Sequence, residues 1–175
     1  VGGGERYFND REDNRNLIEE MENYVFVDNL EEYKNTDSKQ IGFFTAYDDP
    51  IEKYLGREPS LDEIIDITLK KLKSYNKPFF LLVEGSQIDW AEHDNDPEYL
   101  LSEMLEFDSA IETSFDFADK NKNTLVLITA DHETGGASII DGDLEESIVK
   151  SNYSSDKHTA EMVPVYSFGY RSANF

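Results

Sequence analysis

Phe79-Phe80-Leu81-Leu82-Val83-Glu84-Gly85-Ser86-Gln87-Ile88-Asp89 joins five consecutive apolar residues to a carboxylate and then to a turn. A short continuous apolar run reads as a strand buried on both faces, the kind found at the centre of a parallel sheet. Glu84 at its end is hard to explain by packing, because a carboxylate placed there needs a cation or hydrogen bonds. Asp89 and His93 stand four residues apart, so one helical turn puts both side chains on one face. That spacing suits two ligands of one ion.

The same pattern recurs downstream. Leu125-Val126-Leu127-Ile128 is a second apolar run, followed after two residues by Asp131-His132-Glu133-Thr134-Gly135-Gly136. His158-Thr159-Ala160 precedes a third strand, residues 163–168. Between the runs lie helical patterns. Ser60-Leu61-Asp62-Glu63 is a capping box continued by Ile64, Ile65, Leu69 and Leu72. Pro97 opens a helix over 97–120, with Leu100, Leu101, Met104, Leu105, Ala110, Ile111, Phe115 and Ala118 at helical spacing. Leu17, Ile18 and Met21 fit a short helix with Asp13 as its cap, and residues 143–150 a loop with a short helix. Helices alternating with apolar strands predict one α/β domain, a largely parallel sheet flanked by helices, with 79–83 and 125–128 as adjacent central strands. In open α/β sheets ligands bind beyond the carboxyl ends of strands. Parallel strands therefore put Glu84, Asp131 and His132 on one edge of the sheet.

Composition narrows the chemistry. There is no Cys, which excludes a thiolate site and a disulfide framework. Neutral imidazole and carboxylate oxygen suit zinc. Thirty-eight acids against 16 bases give a net charge of −22, a surface that repels nucleic acid and anionic lipid. An anionic substrate would need local positive charge, which bound divalent cations supply. The 11 Phe and 10 Tyr set the chain apart from disordered acidic tails. No apolar run reaches the roughly 20 residues of a membrane span. Taken singly, each cluster has a plainer reading. His93 fits a solvated loop, His158 a polar surface, and Asp131-His132 a helix cap with a bystander.

Taken in order, Val83-Glu84-Gly85-Ser86-Gln87-Ile88-Asp89 with His93, Thr129-Ala130-Asp131-His132-Glu133-Thr134-Gly135-Gly136, and His158-Thr159-Ala160 resemble the carboxyl-terminal half of bacterial alkaline phosphatases. Gly2-Gly3-Gly4 and Pro59-Ser60-Leu61 match as well, so the resemblance covers nearly the whole chain. It implies that Asp89, His93 and His158 hold a first zinc, Asp131 and His132 a second, and Glu84 a magnesium. It implies phosphomonoester hydrolysis through a phosphoserine, with a homodimeric, periplasmic or secreted parent. The family's nucleophilic serine and a phosphate-binding arginine come from an amino-terminal half. These residues are therefore expected to be a piece cut at both ends, inactive alone. Asp108-Ser109-Ala110 spells the family's nucleophile string but falls inside the 97–120 helix, where an activated serine is not expected. The competing readings are a non-catalytic metal-binding module and a phosphodiesterase, sulfatase or phosphoglycerate mutase relative of the same superfamily. Those relatives share the Asp-His element, but the Val-Glu-Gly and His-Thr-Ala strings are not expected together in them.

Overall fold

The computed structural model describes residues 1–175. The first half is mostly helical: α1 (Arg6–Asn9), α2 (Leu17–Glu20), β1 (Val25–Val27), α3 (Leu30–Asn35), β2 (Ile41–Phe43), a 3-10 turn (Lys53–Leu55), α4 (Leu61–Ser74), α5 (Gln87–His93) and α6 (Pro97–Lys120). Strands follow: β3 (Leu125–Thr129), β4 (Glu133–Thr134), β5 (Ser138–Asp143), β6 (Ile148–Asn152), β7 (His158–Thr159) and β8 (Val165–Gly169).

Local chemistry explains where the long helices start. The Ser60 N–H donates to Glu63 Oε2 at 3.2 Å, which closes the first turn of α4. Asp96 Oδ1 accepts from the Glu98 and Tyr99 N–H groups, each at 3.0 Å, and Pro97 needs no partner at the first position of α6. The short helix α2 is capped by Asn16, whose side chain accepts from Ile18 and Glu19. Asp13, the expected cap, instead binds Arg11 at 2.6 Å.

Two apolar clusters hold these elements together. Val27, Tyr33 and Phe43 pack β1, β2 and α3. Ile65, Leu69 and Ala110 join α4 to α6, with Leu81 and Val83 packed against them. Thus alternate residues of the 79–83 run face the core, while Phe80 and Leu82 stay 87% and 78% exposed.

The sheet differs from the sequence expectation. All strand pairing is in twos: β1 with β2 parallel, and β3 with β8, β4 with β7 and β5 with β6 antiparallel. The largely parallel sheet is not seen: one pair of four is parallel, and 79–83 forms no ladder with 125–128 or any other strand. A continuous apolar run marks a segment that can be buried on both faces, but it carries no information about which strand lies beside it. Residues 143–150, expected to hold a short helix, instead turn and enter β6; Gly142 pairs with Val149 across this hairpin.

The face of α6 also differs. Its buried residues are Tyr99, Glu103, Glu106, Ala110 and Ala118, while Leu101, Met104 and Leu105 are exposed. Two carboxylates take core positions because cations from the 50–61 segment reach them. The Arg57 guanidinium bonds both Glu103 and Glu106, and Lys53 Nζ lies 3.0 Å from Glu106.

Candidate metal centre

Asp89 lies at the middle of the site. It sits on α5, one helical turn before His93, and its Oδ1 is 3.5 Å from His93 Nε2. The same oxygen is 3.6 Å from His158 Nε2 and 3.9 Å from His132 Nδ1. Asp89, His93 and His158 each present one ligand atom, all mutually within 4.8 Å. Three residues separated by up to 69 positions meet because two local devices bring them in. The helix turn supplies the first pair. The β4–β7 ladder supplies the third, setting His158 opposite Thr134, whose hydroxyl donates to Asp89 Oδ1.

Hydrogen bonds indicate which nitrogen of the His93 and His132 rings is free. His93 Nδ1 is 2.6 Å from the Asp156 carbonyl, which can only accept, so Nδ1 carries the proton. In the neutral ring, Nε2 then turns a lone pair toward the Asp89 carboxylate. Thr134 has one hydroxyl proton, committed to Asp89; at 3.1 Å from His132 Nδ1 its oxygen can only accept from that ring. His132 Nε2 is thereby left as the lone-pair nitrogen, 3.4 Å from Asp131 Oδ2. Lone pairs and carboxylate oxygens facing one another form the donor set that suits a divalent cation, and these residues fit one.

The second cluster adjoins the first. The His132 and His158 rings stack, with centroids 3.5 Å apart and planes 20° apart. The Asp131 side chain is 88% exposed, and its Oδ1 accepts from the His132 N–H. Glu84 is not among the converging ligands. It is exposed, beside Val83 and Ser86 on the wall of the recess shared with α4. The structure therefore gathers Asp89, His93 and His158 tightly, sets Asp131 and His132 alongside, and leaves Glu84 apart.

Sequence reasoning gave no role to several residues that shape this site. Thr134 is the one large side chain wholly closed to solvent, and it bridges Asp89 and His132. Gly135 follows it with φ +80°, and a Cβ there would stand 3.0 Å from the Glu92 carbonyl. Its N–H donates to the Lys157 carbonyl, which ties the loop before His158 to β4. Burial, reinforced by Glu133 and Asp89 and opposed by His132 and His93, pushes the Glu92 carboxyl up to about 7. The signal for Thr134 and Gly135 was their place two and three residues after His132; their partners lie too far along the chain to be read from it.

Comparison with known proteins gives a consistent picture. A family model described as alkaline phosphatase matches residues 1–174. "Alkaline phosphatase 3" of Bacillus subtilis is 47% identical over 145 residues, covering 79% of this chain and 30% of that protein. The Escherichia coli alkaline phosphatase is 30% identical over 132 residues, covering 66% of this chain and 28% of that protein. Among solved structures, the alkaline phosphatase of the Antarctic bacterium TAB5 superposes with a TM-score of 0.86 at 33% identity, over 96% of this chain and 52% of that one. A variant of the TAB5 enzyme was solved with magnesium bound in its M3 site, with a TM-score of 0.88 at 31% identity, over 99% of this chain and 54% of that one. The chain thus spans under a third of these curated relatives and about half of these solved ones.

Proposed function

The chain belongs to the alkaline phosphatase family, and from that premise we propose that it carries the metal-binding part of a phosphomonoester hydrolase. The convergence of Asp89, His93 and His158 within 4.8 Å is the observation that carries this reading. Asp89, His93 and His158 would hold one zinc ion. Asp131 and His132 would contribute to a second, and Glu84 to a magnesium site. Divalent ions held there would supply the positive charge and Lewis acidity that an anionic phosphate ester requires beside a chain of net charge −22.

The chain's own residues orient this donor set. Asp156 and Thr134 fix the tautomers of His93 and His132, and the β4–β7 ladder fixes His158. The substrate is a phosphate monoester and the intermediate a phosphoserine, in a periplasmic or secreted enzyme that is a homodimer. The nucleophile is not Ser109. That hydroxyl donates back to the Leu105 carbonyl at 3.1 Å on an exposed face of α6. Residues 1–175 alone are expected to turn over a monoester negligibly.

Zinc titration of the purified protein, wild type beside His158→Ala, tests the site. Fewer or weaker zinc sites in the variant are expected; a wild type with no zinc affinity overturns the reading. Hydrolysis of a chromogenic phosphate monoester by the whole protein is expected to be the same in Ser109→Ala as in wild type. Loss of turnover in that variant would make Ser109 the nucleophile.

A further inference from the structure

Two positions before Asp89, the first residue of α5 is gripped by a buried ion cluster that the metal site does not use. Gln87 is 3% exposed. Its Oε1 accepts from Arg57 Nη1 at 2.7 Å and from the Tyr99 hydroxyl at 2.9 Å, and its Nε2 donates to the Pro50 carbonyl at 2.5 Å. Arg57 is itself held on both sides. Nη1 donates to Glu103 Oε1 at 3.0 Å and to the Ile51 carbonyl at 3.1 Å, and Nη2 donates to Glu103 Oε2 at 2.5 Å and to Glu106 Oε2. Lys53 completes the cluster through its N–H to Glu103 at 2.8 Å and its Nζ to Glu106 at 3.0 Å. Two cations thus face two carboxylates in a site where the Arg57, Glu103 and Glu106 side chains are at most 14% exposed.

We propose that Arg57, acting through Gln87, is a positioning residue for the metal-binding helix α5. A seven-residue helix cannot set its own rotation or depth, since isolated helices of that length are unstable in water. Something outside it must fix where Asp89 and His93 point. The Gln87 amide does so with three hydrogen bonds, to the 50–61 segment and to α6. The charge-assisted fork between Arg57 and Glu103 makes one of those anchors rigid. Groups that orient metal ligands without touching the ion commonly set affinity by about 10- to 100-fold. The inference rests on the assignment of Asp89 and His93 as ligands.

Gln87→Met is the informative variant. It keeps the volume and removes all three hydrogen bonds, while Arg57 retains its carboxylates. Arg57→Ala would strand two buried carboxylates and endanger folding. The readouts are the zinc dissociation constant by chelator competition and the visible spectrum of the cobalt-substituted protein. Leu69→Ala, in the core between α4 and α6, serves as the comparison for a purely structural loss. Expected are an increase of about 10-fold in the zinc dissociation constant and an altered cobalt spectrum for Gln87→Met. Arg57→Lys, which keeps one donor and the charge, is expected to fall between it and wild type. Leu69→Ala is expected to melt earlier with both readouts unchanged. If Gln87→Met binds zinc as wild type does, or if Leu69→Ala weakens binding equally, the positioning role is overturned. A wild type that binds no zinc overturns the ligand assignment instead.

Discussion

Thr134 Oγ1 stands between Asp89 and His132 and has a single proton to give. Giving it to the carboxylate settles the tautomer of the imidazole, so one buried hydroxyl orders two of the proposed ligands. Replacing it by valine keeps the shape and removes that arrangement. In Thr134→Val the His132 Nδ1 proton loses its acceptor and Asp89 loses a donor. The expected outcome is a zinc affinity lower by about 10-fold, read by chelator competition, with the fold intact by circular dichroism. Unchanged affinity would mean that the ladder of β4 and β7 orients the rings without the hydroxyl.

At the scale of elements, the site depends on how α5, α6 and the β4–β7 ladder begin. Asp96 starts α6 by accepting from Glu98 and Tyr99, and Tyr99 in turn donates to Gln87 at the start of α5. Losing that cap is expected to destabilise the protein by about 1 kcal/mol, so Asp96→Ala should lower the urea midpoint with no change in slope. Asp96→Asn keeps the accepting oxygen and should retain most of that stability. Equal loss in both variants would point to the charge rather than the cap. The hairpin of β5 and β6 has a different part. It carries the chain outward from Gly136 and back to the loop before His158, so that residues 134 and 158 meet in one ladder.

For the molecule as a whole, the distribution of charge and apolar surface sets the behaviour. Carboxylates and lone-pair nitrogens converge where no lysine or arginine neutralises them, whereas the other acidic cluster, Glu103 and Glu106, is balanced by Arg57 and Lys53. A ligand that binds only the folded state stabilises it by mass action, about 2.7 kcal/mol at 100 times the dissociation constant. Added zinc is therefore expected to raise Tm progressively, and to raise it much less in the double variant His93→Ala with His158→Ala, which keeps Asp131 and His132. Equal shifts in both proteins would place the zinc elsewhere. No helix is long and apolar enough to cross a membrane.

The amino-acid sequence determined most of what is local. The capping box at Ser60, the proline-led start of α6, the i,i+4 pair Asp89 and His93, and the ordered motifs that mark the family all rest on spacing and side-chain type. Such features are fixed within one or two turns of chain, so they can be read from it. Strand partnership was decided elsewhere: the continuous apolar run 79–83 buries alternate residues but has no ladder, and β3 pairs antiparallel with β8. The core face of α6 also escaped the sequence, because Glu103 and Glu106 enter the interior only once Arg57, 46 and 49 positions earlier, stands beside them. Thr134 as the bridge and Gln87 as the anchor belong to the same class. Each acts through a hydrogen bond to a residue far along the chain, and only the tertiary fold brings donor and acceptor within 3 Å.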